Sequence, residues 1–66
     1  MSAAASVRQP VLERNEWSLV VELLERESRD LPLEIHRTAT RERRDVLRER
    51  LSRVEILLER LRPQAT

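Results

Sequence analysis

The segment from residue 33 to residue 41 holds the most varied side chains in the chain. It combines a carboxylate, the single histidine, two threonines and two arginines. If a helix begins just after it, the free N–H groups at that helix end, together with the basic side chains, could bind an anion. The sequence therefore predicts a candidate anion or partner site at His36, Arg37, Thr38 and Arg41. In the alternative, Thr38 or Thr40 caps the helix, while Glu34 and His36 are turn residues.

Catalysis and metal binding lack the residue spacings that they need. Metal sites in helical bundles typically use Glu-x-x-His pairs that face inward, whereas Glu34 and His36 are two apart and would point in different directions on a helix. The serines at positions 18, 28 and 52 have no histidine at a suitable spacing, and the chain has no cysteine. We therefore expect a protein that is not an enzyme and uses no cofactor or metal.

Arginines are dense between residues 41 and 53, and this stretch loosely resembles the basic region of a DNA-binding helix. The acids Glu42, Asp45 and Glu49 stand among them, and ion pairs within the helix would use much of the positive charge. The only aromatic residue that could stack on a base is Trp17, which is expected in the core. Nucleic-acid binding is therefore the alternative function, ranked below contact with protein.

The charges are sorted along the chain. Residues 10–35 hold seven acids and three arginines, residues 36–62 hold nine arginines and five acids, and the net charge of the whole chain is only +1. Two helical segments of opposite sign can attract each other or each other's copies. The sorting therefore favours matching between helices over a uniformly basic surface.

Length and composition bound the class of protein. A chain of 66 residues is at most one small domain, which removes only about 60% of its surface from water on folding. With no cysteine for disulfides, association with a second copy is the expected way to enlarge the core. No apolar run reaches the ~20 residues of a membrane span, and the N-terminus lacks the apolar stretch of a signal peptide. We expect a cytoplasmic protein with no membrane partner.

Two helices are predicted, at about residues 11–29 and 39–62. Pro32 lacks a backbone donor and disfavours a helical conformation at Leu31, so the first helix should end before it or kink there. Residues 1–9 and 63–66 are predicted to be disordered tails around a hairpin domain at 10–62, because Pro63 should not extend a helix. The fold class is all-α, an antiparallel two-helix hairpin.

Each predicted helix has an apolar stripe. In the first helix Trp17, Val20, Leu24 and Leu31 follow the spacing of one helical face. In the second, apolar residues alternate in steps of four and three, which is typical of a coiled-coil seam. Back-to-back packing would place Trp17 near Leu58. The predicted core and oligomer residues are Trp17, Val20, Leu23, Leu24, Leu47, Leu51, Val54, Leu58 and Leu61.

Glu27 interrupts the stripe of the first helix. A carboxylate in a seam needs a cation, and Arg43, Arg44 or Arg50 of the second helix could supply one. Such an ion pair could fix the register or the oligomeric state. In the alternative, Glu27 lies at the rim and stays solvated.

A single hairpin leaves several apolar residues beside its seam, namely Leu19, Val21, Leu23, Val46 and Leu57. A second hairpin would cover them in a two-fold four-helix bundle. We therefore predict a non-catalytic, self-associating helical hairpin that acts through protein contacts. A homodimer is the first expectation for its partner, and a different protein is the second.

Overall fold

The computed structural model describes residues 9–65, and within them the chain forms two α-helices packed as a hairpin. Helix α1 spans Arg14–Arg37, helix α2 spans Arg41–Ala65, and residues 38–40 join them. The helices run antiparallel, because the Ser18 hydroxyl near the start of α1 donates a hydrogen bond to the carbonyl of Ala65 at the end of α2 (3.3 Å). The predicted all-α hairpin is confirmed. The predicted tail at residues 1–9 falls outside the described residues except for residue 9.

Helix α1 begins with a reciprocal arrangement of Glu13 and Glu16. The backbone N–H of Glu13 donates to the Glu16 carboxylate (2.8 Å), and the carbonyl of Glu13 accepts from the N–H of Trp17 (2.9 Å). A carboxylate in the first turn is also favoured by the partial positive charge of a helix N-terminus. These contacts fix the start of α1 a few residues after the predicted start.

Pro32 lies inside α1, which continues to Arg37 instead of ending near residue 29. A proline in a helix interior costs about 3 kcal/mol. Against that cost, Leu31 is only 1% exposed and Ile35 packs on the core, and burying a large apolar side chain yields about 1.5–3 kcal/mol. The first helix was predicted to end before Pro32 or to kink there. It does not end there, because burial on both sides of the proline offsets the lost hydrogen bond.

We call residues 33–41 the joint, and its two threonines serve different helices. At the end of α1, the Thr38 hydroxyl donates to the carbonyl of Glu34 (2.6 Å) and the Thr38 N–H donates to the carbonyl of Ile35 (3.2 Å). The carbonyl of Thr40 accepts the N–H of Arg44 (3.0 Å) and so begins the hydrogen bonding of α2. Thr38 thus closes the first helix, whereas the sequence suggested it as a cap for the second.

Helix α2 also runs beyond a proline. It continues through Pro63 to Ala65, so residues 63–65 belong to the helix and not to a separate C-terminal tail. Ala65 packs against the core at its far end. That contact, together with the hydrogen bond from Ser18, holds the last turn in place.

The core is one seam between the helices. Its buried side chains are Val21, Leu31, Leu47, Val54 and Leu58, with Leu24, Ile35, Leu51, Leu61 and Ala65 partly buried against them. Both stripes advance in alternating steps of four and three residues, which keeps one face of each helix turned toward the other. In α1 this spacing passes through Ser28, not Glu27.

The register differs from the predicted pairing of Trp17 with Leu58. Ser18, the next residue after Trp17, reaches Ala65, about two helical turns beyond Leu58. Because α1 continues past Pro32, the turn sits at residues 38–40, whereas the predicted helices left residues 30–38 between them. The partner of the start of α1 therefore lies further from the turn than the sequence suggested.

Candidate functional site

One face of the hairpin carries two adjoining grooves, and we call it the groove face. The first groove lies along α2 and the second lies between the helices. Val46 and Arg50 line both grooves, so the two form one continuous surface. The other residues that line the groove face are Glu27, Leu31 and Glu34 of α1, and Arg43, Leu47, Glu49, Arg53, Val54 and Leu57 of α2.

Apolar side chains on the groove face are exposed to solvent. Val46 is 66% exposed and Leu57 is 38% exposed, although both stand beside buried residues of the seam. On α1, Leu23 is 51% exposed and Leu19 is 55% exposed. Leu23 precedes Glu27 by four residues and so lies on the same side of α1, whereas Leu19 lies further round the helix toward solvent. Leu23, Val46 and Leu57 make a partly apolar surface beside the core.

The structure pairs Glu27 with Arg50, one of the three arginines that the sequence proposed. The Arg50 Nε group donates to a Glu27 carboxylate oxygen across the two helices. The Glu27 side chain is 32% exposed and the Arg50 side chain is 63% exposed, so this pair contributes about 0–1 kcal/mol in solvent. Glu27 lies beside the seam and not in it. Its position is therefore closer to the alternative prediction, in which Glu27 lies at the rim.

Arg43 and Arg44, the other two candidates, have different surroundings. Arg43 is exposed and lines the same groove as Glu27. Arg44 is half-buried, and its Nε is shielded from solvent without a hydrogen-bond partner in the part of the chain described. A buried donor left unpaired costs free energy, so Arg44 is a weak point of the seam.

Two ion pairs connect the acidic helix to the basic helix. Glu27 pairs with Arg50, and Glu25 accepts from the Nε of Arg62 (3.4 Å). A third pair, between Asp45 and Arg48 (3.5 Å), lies within α2. Ion pairs between the two helices of one hairpin therefore neutralise part of the opposite charge of the two segments.

The joint presents its polar residues in separate places. His36 and Arg37 lie exposed in the last turn of α1, where a basic side chain is favoured by the partial negative charge of the helix end. A shallow depression brings Arg37 and Thr38 together with Asp30, Leu33 and Glu34. The carboxylates of Asp30 and Glu34 oppose an anion there, and the Thr38 hydroxyl already donates to the backbone carbonyl of Glu34. His36 and Arg41 are exposed but do not line this depression.

Between residues 9 and 65 the chain forms neither a metal-binding cluster nor a membrane span. Within this range no group of three or more histidine, cysteine, aspartate or glutamate side chains is placed to hold a metal ion. Neither of the two helices is long and apolar enough to cross a membrane.

The predicted core residues have three kinds of environment. Leu47, Val54 and Leu58 are buried, and Leu24, Leu51 and Leu61 are partly buried against them. Trp17 and Val20 are partly buried, and Leu23 is exposed on the Glu27 side of α1. Sequence reasoning left Val21, Ile35 and Ala65 out of the core. A stripe drawn from Trp17 in steps of four and three would have found the first two.

Comparison of the chain with known protein families, with curated proteins and with solved structures finds no match.

Proposed function

We propose that this chain is a non-catalytic helical hairpin that self-associates through its groove face into a two-fold four-helix bundle and acts through protein contacts. The observation that carries the proposal is the exposure of Val46 and Leu57 on the groove face, which continues directly into the core, together with the exposure of Leu23 on the Glu27 side of α1. An apolar surface of this kind is typical of an interaction site. In a bundle of two hairpins it would become part of a shared core.

The small core of one hairpin supports the same proposal. Only five residues of the described chain are buried apolar residues. Each additional large apolar side chain that a partner covers would yield about 1.5–3 kcal/mol. A second copy offers the same exposed residues in return, since a two-fold interface uses one patch on both subunits. Self-association therefore adds apolar burial on both sides at once.

The alternative function is nucleic-acid binding by the arginines of α2. Arg48, Arg50 and Arg62 are each paired with a carboxylate, which reduces the charge available for phosphate. Arg41, Arg43, Arg53 and Arg60 form no ion pair within the described residues and are the groups on which this alternative rests. Their acidic neighbours in sequence favour the protein-contact proposal.

A matched pair of substitutions tests the groove face. Val46→Glu should convert the dimer to a monomer, because it would bury a carboxylate in place of an apolar side chain at the interface. Ile56→Glu is the control: Ile56 is also a β-branched residue of α2, it is 58% exposed, and it lies two residues after the buried Val54, on the opposite side of the helix. Mass is measured by sedimentation equilibrium and helicity by circular dichroism.

The two variants separate the proposal from its rivals. We expect a dimer for the wild type and Ile56→Glu, and a folded monomer for Val46→Glu, whose new carboxylate lies near Arg43 and Arg50. A monomeric wild type would reject self-association. Retention of a labelled duplex by that monomer at about 150 mM salt, with affinity that falls steeply as salt rises, would favour the nucleic-acid alternative.

A further inference from the structure

The charges on the groove face differ between the two helices. On α1 the charged residues that line it are Glu27 and Glu34, both acidic. On α2 they are Arg43, Arg50 and Arg53, with Glu49 as the single acid. Glu27 and Arg50 already form an ion pair, whereas Glu34, Arg43 and Arg53 form none within the described residues. An unpaired acid on one helix and unpaired arginines on the other are thus presented to whatever covers this face.

Two face-to-face arrangements of a second copy are compatible with two-fold symmetry. If the symmetry axis runs parallel to the helices, both turns lie at the same end, and α1 packs against the partner's α2. If the axis is perpendicular to the helices and lies in the interface, the turns lie at opposite ends, and each helix packs against its own copy. The charges on the groove face distinguish these two arrangements.

We infer that the second copy binds in the same-end orientation, with α1 of each hairpin against α2 of the other. The inference rests on the proposed self-association and specifies its geometry. Opposite charges then face each other across the interface, whereas the opposite-end orientation places acidic helix on acidic helix and basic helix on basic helix. Like charges brought together at an interface cost free energy and exclude the wrong arrangement.

The distances of the charged residues from the turn, measured along the helices, strengthen the inference. Glu27 and Arg50 lie at the same distance from the turn, as their ion pair shows, and Glu34 and Arg43 line one groove closer to the turn. Rotation about a two-fold axis parallel to the helices leaves each residue of the second copy at the same position along that axis. Glu34 of one copy is therefore level with Arg43 of the other copy, and the two unpaired groups can meet.

The exposed apolar residues agree with this orientation. Leu23 lies in the half of α1 remote from the turn, and Leu57 lies in the corresponding half of α2. In the same-end orientation Leu23 of one copy is level with Leu57 of its partner. These two leucines can then cover each other, while Glu34 and Arg43 meet nearer the turn.

The same-end orientation also has a consequence for the joint. It places the two turns side by side, so two copies of His36, Arg37 and Arg41 come to one end of the bundle. In the opposite-end orientation these groups would be separated by the length of the hairpin. Any partner that recognises the joint would therefore meet both copies on one surface.

Spin labels on introduced cysteines can measure the orientation in the full chain. The chain contains no cysteine, and Ala39 in the turn and Gln64 near the end of α2 are both exposed. The variants Ala39→Cys and Gln64→Cys each give one label per copy. In the same-end dimer both variants should show label separations of about 10–20 Å, set by the spacing of packed helices. In the opposite-end dimer both separations should be about 37 Å, the length of a 25-residue helix.

The outcomes separate the orientation from self-association itself. Short separations in both variants, lost when labelled protein is diluted with unlabelled protein, support the inference. Long separations in a protein that sediments as a dimer overturn the orientation and leave self-association standing. No dipolar interaction, with monomer mass in both variants and in the wild type, rejects both proposals.

Discussion

Leu31 is the side chain on which the seam depends most. It is 1% exposed, the least of any residue in the core, and lies next to Pro32 where α1 would otherwise be weakest. We expect Leu31→Ala to lower the free energy of unfolding by about 2–5 kcal/mol, since it removes apolar burial and leaves a cavity. Leu33→Ala is the matched control: Leu33 is 56% exposed, and its truncation should change stability by less than about 0.5 kcal/mol. Urea unfolding followed by circular dichroism measures both, and equal losses would show that Leu31 does not anchor the seam.

Residue identity explains why the seam of α1 was only partly predictable. Two stripes fit the sequence, one through Val20 and Glu27 and one through Val21 and Ser28, and each contains one polar position. The structure uses the second. A serine is small, and its hydroxyl donates to the carbonyl of Glu25 (3.0 Å), so its polar group is satisfied within α1. A carboxylate at that position would need a desolvated cation, which makes the first stripe more costly. Comparing the costs of the two polar positions would have favoured the observed seam.

At the level of the helices, Pro32 gives the sharpest test of the structure. Residues on both sides of it are helical, so Pro32→Ala should restore a backbone hydrogen bond and raise the free energy of unfolding by about 2 kcal/mol. The estimate is the intrinsic gain of about 3 kcal/mol less about 0.4–1 kcal/mol for the greater freedom of the unfolded chain. Pro63→Ala is the control, because Pro63 lies in the last turn of α2, where a helix frays and the gain should be smaller. No gain at Pro32 would mean that the helix does not need the missing bond there.

The existence and pairing of the helices could be predicted from sequence, and so could their approximate starts, but their C-terminal ends could not. The stripe of α2 is regular from Leu47 to Leu61, and it led to the correct helix. At Pro32 a local rule competes with burial of Leu31 and Ile35, and the tertiary contacts win. The same competition moves the turn to residues 38–40 and shifts the cross-helix register. Charge sorting correctly indicated pairing between the helices, but the particular partners followed only from the observed register.

The stability of the hairpin as a whole should depend on what covers its groove face. If a second copy binds there, mass action couples folding to protein concentration. We expect the midpoint of thermal unfolding to rise over an about hundredfold increase in wild-type concentration, because the dimer is favoured at high concentration and unfolds to separate chains. Val46→Glu should unfold at a midpoint that is independent of concentration, while Ile56→Glu should follow the wild type. Circular dichroism in cells of different path length covers the range. If the wild-type midpoint stays constant throughout, the groove face is not occupied by a second copy, and the exposed residues Leu23, Val46 and Leu57 must serve a different partner.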